Sequence, residues 1–228
     1  MSQELIAKAE ELQVACNYVA VKTLLFEAID GGDKSVDLLW RGARNCYDLA
    51  QETQDKAEKE VLVRKGFDLA KTAIEVDPSS PASHKWIGIL YGSLGEFIPT
   101  KDKIANAYVI RDHFLKSVEI NPKDATTQHC MGKWCWTILQ IGWIERQAAS
   151  LLFGTPPSST NDECRGYLLA SHEITPTIHN CNALGDLYYQ EKNWAEAKKW
   201  FSLALTIPAI TENHKRQHEE ATKKRDSC

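Results

Sequence analysis

The chain has 228 residues, 43% of them hydrophobic and 25% charged, which supports a substantial buried core and excludes a disordered or fibrous polymer. Acidic residues outnumber basic ones by 31 to 27, so the whole-protein field argues against nucleic acid or an anionic membrane as partner, and only a local basic face would escape that average. Apolar runs such as Ile87 to Tyr91 fall far short of the roughly 20 residues that cross a bilayer, the first residues lack a signal peptide's character, and seven scattered cysteines contain no Cys-x-x-Cys pair; the expectation is a cytosolic protein without disulfides or a membrane anchor in this chain.

From the start of the chain, Leu5, Ala9, Leu12, Cys16, Val19, Thr23 and Phe26 alternate steps of four and three, which predicts one helix with one packed face inside residues 1–32. Gly31-Gly32 ends it, and Asp33 or Ser35 is placed to cap the next helix. Residues 35–52 and 55–76 are again helical in period. In the second, Leu62, Gly66, Leu69, Ala73 and Val76 form one stripe and Val63, Phe67, Ala70 and Ile74 another, as expected of a helix packed on two sides. No sustained alternation of period two marks a sheet, so the chain reads as all-α.

Further along, three helix endings look alike: Ala73-Ile74-Glu75-Val76-Asp77-Pro78, Ser117-Val118-Glu119-Ile120-Asn121-Pro122 and Ser171-His172-Glu173-Ile174-Thr175-Pro176. A fourth, Ala204-Leu205-Thr206-Ile207-Pro208, is shortened. The small residue permits close helix approach, the β-branched residue is expected to pack inward, and proline stops the helix. After each full ending comes a helix marked Ile87-Gly88-x-x-Tyr91, Met131-Gly132-x-x-Cys135 or Leu184-Gly185-x-x-Tyr188, with Gly42-Ala43-x-x-Cys46 as a weaker first copy. The glycine is where a neighbouring helix presses closest. This pattern resembles the tetratricopeptide repeat, a helix pair with a unit of about 34 residues. The last copy keeps the family spacing through Leu184, Gly185, Tyr188, Trp194, Ala197, Phe201 and Ala204, whereas Pro78 and Pro122 lie 44 positions apart and Pro122 and Pro176 lie 54. The inner repeats therefore carry about 10 and 20 extra residues. The expected architecture is a single helical domain over residues 1–228: an N-terminal helix at 1–32, degenerate tetratricopeptide-like antiparallel helix pairs in a solenoid over 33–208 with long insertions in the inner repeats, and a capping helix at 209–228.

The longest insertion holds Trp134-Cys135-Trp136, then Trp143-Ile144-Glu145-Arg146-Gln147-Ala148-Ala149, then Leu151-Leu152-Phe153-Gly154-Thr155-Pro156-Pro157-Ser158-Ser159-Thr160. With His84-Lys85-Trp86 and Asn121-Pro122-Lys123-Asp124, it resembles the regulator of microtubule dynamics family over roughly residues 60–210. The resemblance implies a non-catalytic helical protein without cofactors or a metal, associated with tubulin and microtubules and with the spindle and spindle poles, in the cytoplasm and cytoskeleton, serving chromosome segregation. A mitotic regulatory protein or peptide is a further expected partner. Other readings of the residues are a cytosolic adaptor for an acidic peptide and a lipid carrier with an apolar, Trp-lined interior.

If the repeats stack, the fifth, ninth and twelfth repeat positions face a concave groove: Lys85, Ile89 and Gly92, then His129, Lys133 and Trp136, then Asn182, Asp186 and Tyr189. Two lysines with flat aromatic side chains suit an acidic peptide, although Ile89 stands where a carboxylate clamp wants a polar group; the alternative is that the inserted segment fills the groove and Trp136 is core. Basic candidates for the acidic tubulin tails are Lys101, Lys103, Arg111 and Lys116 in one helical region, Lys198 and Lys199 in another, and Lys215, Arg216, Lys223, Lys224 and Arg225 near the end. His214 and His218 share a helix face, but nothing completes a zinc site. Cys135 takes a repeat position that is normally packed, so burial is expected. Ser158, Ser159 or Thr160 is placed to cap the next helix, with Glu163 three residues after Thr160 closing a capping box, and Thr155-Pro156 has the form of a proline-directed kinase site.

Overall fold

A computed structural model describes residues 2–142, 146–147, 149–151 and 157–228. Among these every regular element is helical: α1 (Ser2–Val14), α2 (Tyr18–Asp30), α3 (Val36–Glu52), α4 (Lys56–Val76), α5 (Pro81–Leu94), α6 (Thr100–Ile120), α7 (Ala125–Leu139), α8 (Asn161–Ile174), α9 (Ile178–Gln190), α10 (Trp194–Ala204) and α11 (Glu212–Asp226). They gather into two compact units, Met1–Ile120 and Asn121–Cys228. In the first, the α1–α2 hairpin packs on α3, and the pairs α3–α4 and α5–α6 follow; in the second come the pairs α7–α8 and α9–α10, with α11 laid on α10 and α9. Most starts are capped as helix physics asks, by Asp55, Ser80 with Pro81 at the first turn, Asp124, Thr177, Asn193 and Thr211. Thr160 and Glu163 form the expected capping box, each side chain bonding the other's backbone N–H.

The repeated glycines do what their positions suggest. A Cβ at Gly88 would lie 2.6 Å from the Phe114 ring, one at Gly132 2.5 Å from Leu168, and one at Gly185 2.4 Å from Phe201. Each pair locks helix A of a repeat onto helix B. Gly185 and Phe201 are 16 positions apart, Gly88 and Phe114 are 26, and Gly132 and Leu168 are 36. The extra ten and twenty residues thus fall between the glycine and the residue it receives, and the repeat contact survives them. In the first unit they lengthen helix B, since α6 has 21 residues where α10 has 11; in the second they fall between Leu139 and Asn161.

Two expectations are corrected. The N-terminal stripe is broken at Cys16, whose φ is +55°, because Asn17 turns out of the helix and accepts the Ala20 N–H as the cap of α2. Past the break the register changes: Val21, Leu25 and Phe26 are buried, Thr23 is exposed and Val19 is 69% exposed. The repeated endings also differ from their reading. Ala73, Ser117, Ser171 and Ala204 are buried as expected, but Val76, Ile120 and Ile174 are 50%, 40% and 39% exposed. Each of these β-branched residues is the last of its helix, so it stands at the end of the packed face. In α4 the buried line, Val63, Gly66, Ala70 and Ala73, joins parts of both sequence stripes.

The α1–α2 hairpin is fastened to α3 by polar groups as well as by its apolar core of Ala9, Val21, Leu25, Phe26 and Leu38. Glu10 receives Arg41 Nε at 2.7 Å and Arg44 Nη2 at 3.0 Å, Gln13 Nε2 donates to Asp48 Oδ2 at 2.7 Å, and Asn45 Nδ2 donates to the Tyr18 carbonyl at 2.8 Å. Burial alone would raise the Glu10 carboxyl, but the two guanidiniums hold it below its usual value. Asp48 goes the other way: burial pushes it up to about 7, against the opposing effects of Gln13 and Arg44. A carboxyl raised on folding binds its proton more tightly in the native state, so its contribution is full below the unfolded value of 3.8 and is lost as pH rises through about 7. Asp48→Asn keeps an acceptor for Gln13 without the buried charge. It is expected to stabilise the first unit by about 1–3 kcal/mol at pH 8 and to change little at pH 3, as read by denaturant melts at the two pH values.

Candidate functional site

The predicted groove residues fall in both units. In the first, Lys85 is half-buried with its ammonium 5.9 Å from the Trp86 ring, Ile89 is buried, and nothing stands within 4 Å of a Cβ at Gly92. The second unit brings the other six to α7 and α9. His129 Nδ1 donates to Asn180 Oδ1 at 2.8 Å, and Asn180 Nδ2 donates to the Leu168 carbonyl at 2.8 Å, a closed chain of hydrogen bonds. Burial depresses His129 to about 4 and, with His214 and Lys133 adding to it, His179 to about 4. These imidazoles are neutral parts of the interior. Lys133 is lowered, foremost by burial, while Asp186 acts to raise it and Lys224 to lower it. Trp136 is half-buried, and its neighbour Trp134 is core.

Asn182, Asp186 and Tyr189 are already engaged by α11. Asn182 Nδ2 donates to the Gln217 backbone and side-chain oxygens, both at 3.1 Å; Lys224 Nζ lies 2.6 Å from Asp186 Oδ1; Ser227 Oγ is 3.4 Å from the Tyr189 hydroxyl. Sequence reasoning raised the inserted segment as the filler of the groove; over these three residues the filler is α11. His214 and His218 turn to separate partners, the His179 ring and the Ala204 carbonyl. Trp143 and the Thr155-Pro156 pair lie outside the described residues.

The four basic candidates on α6 do not make one face. At about 100° per residue, Lys103 falls on the opposite side from Lys101, while Asp112 and Glu119 fall between Arg111 and Lys116. Lys116 pairs with Glu119 at 3.0 Å and Arg111 with Asp112 at 3.3 Å. In the second unit, Lys198 on α10 and Lys223 on α11 are exposed, and the charge of Lys198 acts on Cys228 just past the end of α11. The balance of charge agrees, with 15 basic against 19 acidic residues in Met1–Ile120 and 12 against 12 in Asn121–Cys228.

The four buried thiols are held unreactive. Burial pushes Cys164 up to about 12 and Cys46 and Cys181 up to about 11 and raises Cys135, which is buried as expected, so the nucleophilic thiolate is disfavoured. Among the described residues no three His, Cys, Asp or Glu side chains gather as metal ligands, and no helix is long and apolar enough to cross a membrane.

Compared with known proteins, residues 5–227 match the family described as regulator of microtubule dynamics protein 1-3. The chain belongs to the regulator of microtubule dynamics family. A mouse relative, regulator of microtubule dynamics protein 1, is 40% identical over 222 residues, covering 96% of this chain and 72% of its own. The protein of the same name from Caenorhabditis elegans is 28% identical over 211 residues, covering 92% and 93%. Among solved structures, a tetratricopeptide-repeat protein of Thermus thermophilus superposes with a TM-score of 0.67 at 16% identity, covering 98% of this chain and all of that one, which places the fold of this regulator of microtubule dynamics member among tetratricopeptide-like helix pairs. The family match reaches beyond residues 60–210, where the sequence motifs lie, to include the α1–α2 hairpin and α11.

Proposed function

We propose that this chain is a non-catalytic binding protein that associates with microtubules and regulates their dynamics, acting in the cytoplasm and at the spindle and spindle poles in support of chromosome segregation. The observation that carries this reading is membership of the regulator of microtubule dynamics family across nearly the whole chain. The buried, disfavoured thiols of Cys46, Cys135, Cys164 and Cys181 and the neutral, hydrogen-bonded His129 fit a scaffold better than a catalyst. For an acidic partner surface, the physically favoured contacts are the exposed lysines Lys198 and Lys223 of the second unit, because the cations on α6 are interleaved with carboxylates.

Turbidity of polymerising tubulin tests the reading. Added protein is expected to change the assembly rate or plateau, and the Lys198→Glu/Lys223→Glu double variant to lose most of that effect. Lys101→Glu/Lys103→Glu is expected to keep most of it. An assembly curve untouched by the unmodified protein removes the regulatory reading; equal loss in both double variants removes the assignment of the surface.

A further inference from the structure

Helix α11 lies on α10 and meets α9 through one polar face. Asn213 Nδ2 donates to His179 Nε2 at 3.1 Å, the Gln217 oxygens accept from Asn182, Lys224 pairs with Asp186, and Ser227 bonds Tyr189. Positions 213, 217, 224 and 227 follow steps of four, seven and three, the spacing of a single helix face. Apolar anchorage is slight, since Ala221 is the one buried residue of the 15 in α11. A helix held this way exchanges its contacts for water or for another helix far more readily than one buried by an apolar stripe.

The seat is also incomplete. Asn182 Oδ1 is buried with no hydrogen-bond partner, and the side-chain amide cannot turn over to relieve it, because Nδ2 faces two acceptors. Lys133 Nζ has neither a hydrogen bond nor an ion pair among the described residues, although Asp186, Glu220 and Lys224 lie close enough to act on its charge. A buried acceptor left unmet under the helix, beside an exposed lysine that the helix gives no counter-ion, marks an occupant that another could better.

We propose that α9 and α10, with Lys133 of α7 beside them, form a helix-reading seat in which α11 is an exchangeable occupant. The partner it fits is a polar helix that repeats the amide and lysine face of α11 and brings a carboxylate to Lys133 and a donor to Asn182 Oδ1. The proposal stands apart from the microtubule reading and survives its failure.

The probe is a fluorescent peptide of residues 209–228 titrated against the full chain. The unmodified chain is expected to bind it weakly, because its own α11 holds the seat. Lys224→Glu sets a carboxylate against Asp186 and releases the resident helix, so the peptide is expected to bind at least ten-fold tighter. Adding Asp186→Lys re-pairs the resident helix with reversed charges and opposes the peptide's own lysine, returning binding to the unmodified level or below. In the Lys224→Glu chain, Asn182→Ala, which removes the donor to the Gln217 oxygens, is expected to weaken the peptide several-fold. Lys224→Gln, which loses only the ion pair, serves if Lys224→Glu does not fold, with a gain of several-fold expected. Equal affinity of the unmodified and released chains overturns the proposal, as does deuterium exchange in which the α11 amides of the unmodified chain are protected as strongly as those of α9.

Discussion

Replacing Gly185 by valine is expected to destabilise residues 121–228 by about 3–5 kcal/mol, enough to unfold a marginal helical unit. The new Cβ would stand 2.4–2.8 Å from three atoms of the Phe201 ring, closer than side-chain carbons approach one another. Phe201 is fully buried, so its ring has no solvent into which to swing, and valine's two γ carbons add to the clash in the one rotamer a helix favours. Chemical denaturation measures the loss. Two comparisons separate the clash from a general dislike of change at helical glycines. Gly166→Ala on α8 meets nothing within 4 Å, so it is expected to stabilise by up to about 1 kcal/mol through helix propensity. Phe201→Leu is expected to recover part of the cost of Gly185→Ala, a coupling that two independent sites would not show. Additive effects would mean that the glycine does not receive that ring.

Acidification is expected to weaken the second unit between about pH 6.5 and pH 4. His129 and His179 have unfolded values of 6.5 and native values of about 4. Below pH 6.5 the unfolded chain takes up protons that the native chain refuses, so stability present above that value is lost as pH falls and levels off near pH 4. Each histidine accounts for on the order of 2 kcal/mol across that window. His129→Gln, which retains a donor for Asn180, is expected to flatten the dependence by about half. Asp48 in the first unit has the opposite sign over the window from 3.8 to about 7. Deuterium exchange followed peptide by peptide from pH 7 to pH 4.5 separates the two: protection should fall in residues 121–228 more steeply than in residues 1–120. Parallel loss in both units would contradict the burial of these imidazoles.

Much of the fold was readable from small residues and prolines. Gly88, Gly132 and Gly185 mark the close approach of two helices because only a residue without a Cβ fits there, and Ala73, Ser117, Ser171 and Ala204 mark the opposite surfaces. Even the insertions left these pairs intact. What periodicity could not show was the break at Cys16, where a single Asn cap outweighs an unbroken apolar stripe, or the exposure of Val76, Ile120 and Ile174, since β-branching says nothing about where the packed face of a helix ends. The groove was half legible. Asn182, Asp186 and Tyr189 were identified as a surface needing an occupant, but the occupant's contacts, such as Lys224 to Asp186 across 38 positions, are polar pairs between distant segments and leave no local pattern. The basic residues of α6 looked like a cluster in one dimension and are dispersed by the helical turn.

Under the proposed function, this tetratricopeptide-like scaffold engages microtubules through charge. Co-sedimentation with taxane-stabilised microtubules tests it most directly. At low ionic strength the unmodified protein is expected to pellet with the polymer in a saturable manner, to be released as salt shortens the reach of its exposed lysines, and to pellet less on microtubules stripped of their acidic tails. Protein that remains in the supernatant at low salt contradicts direct engagement, and pelleting indifferent to salt and to the tails contradicts the electrostatic mechanism.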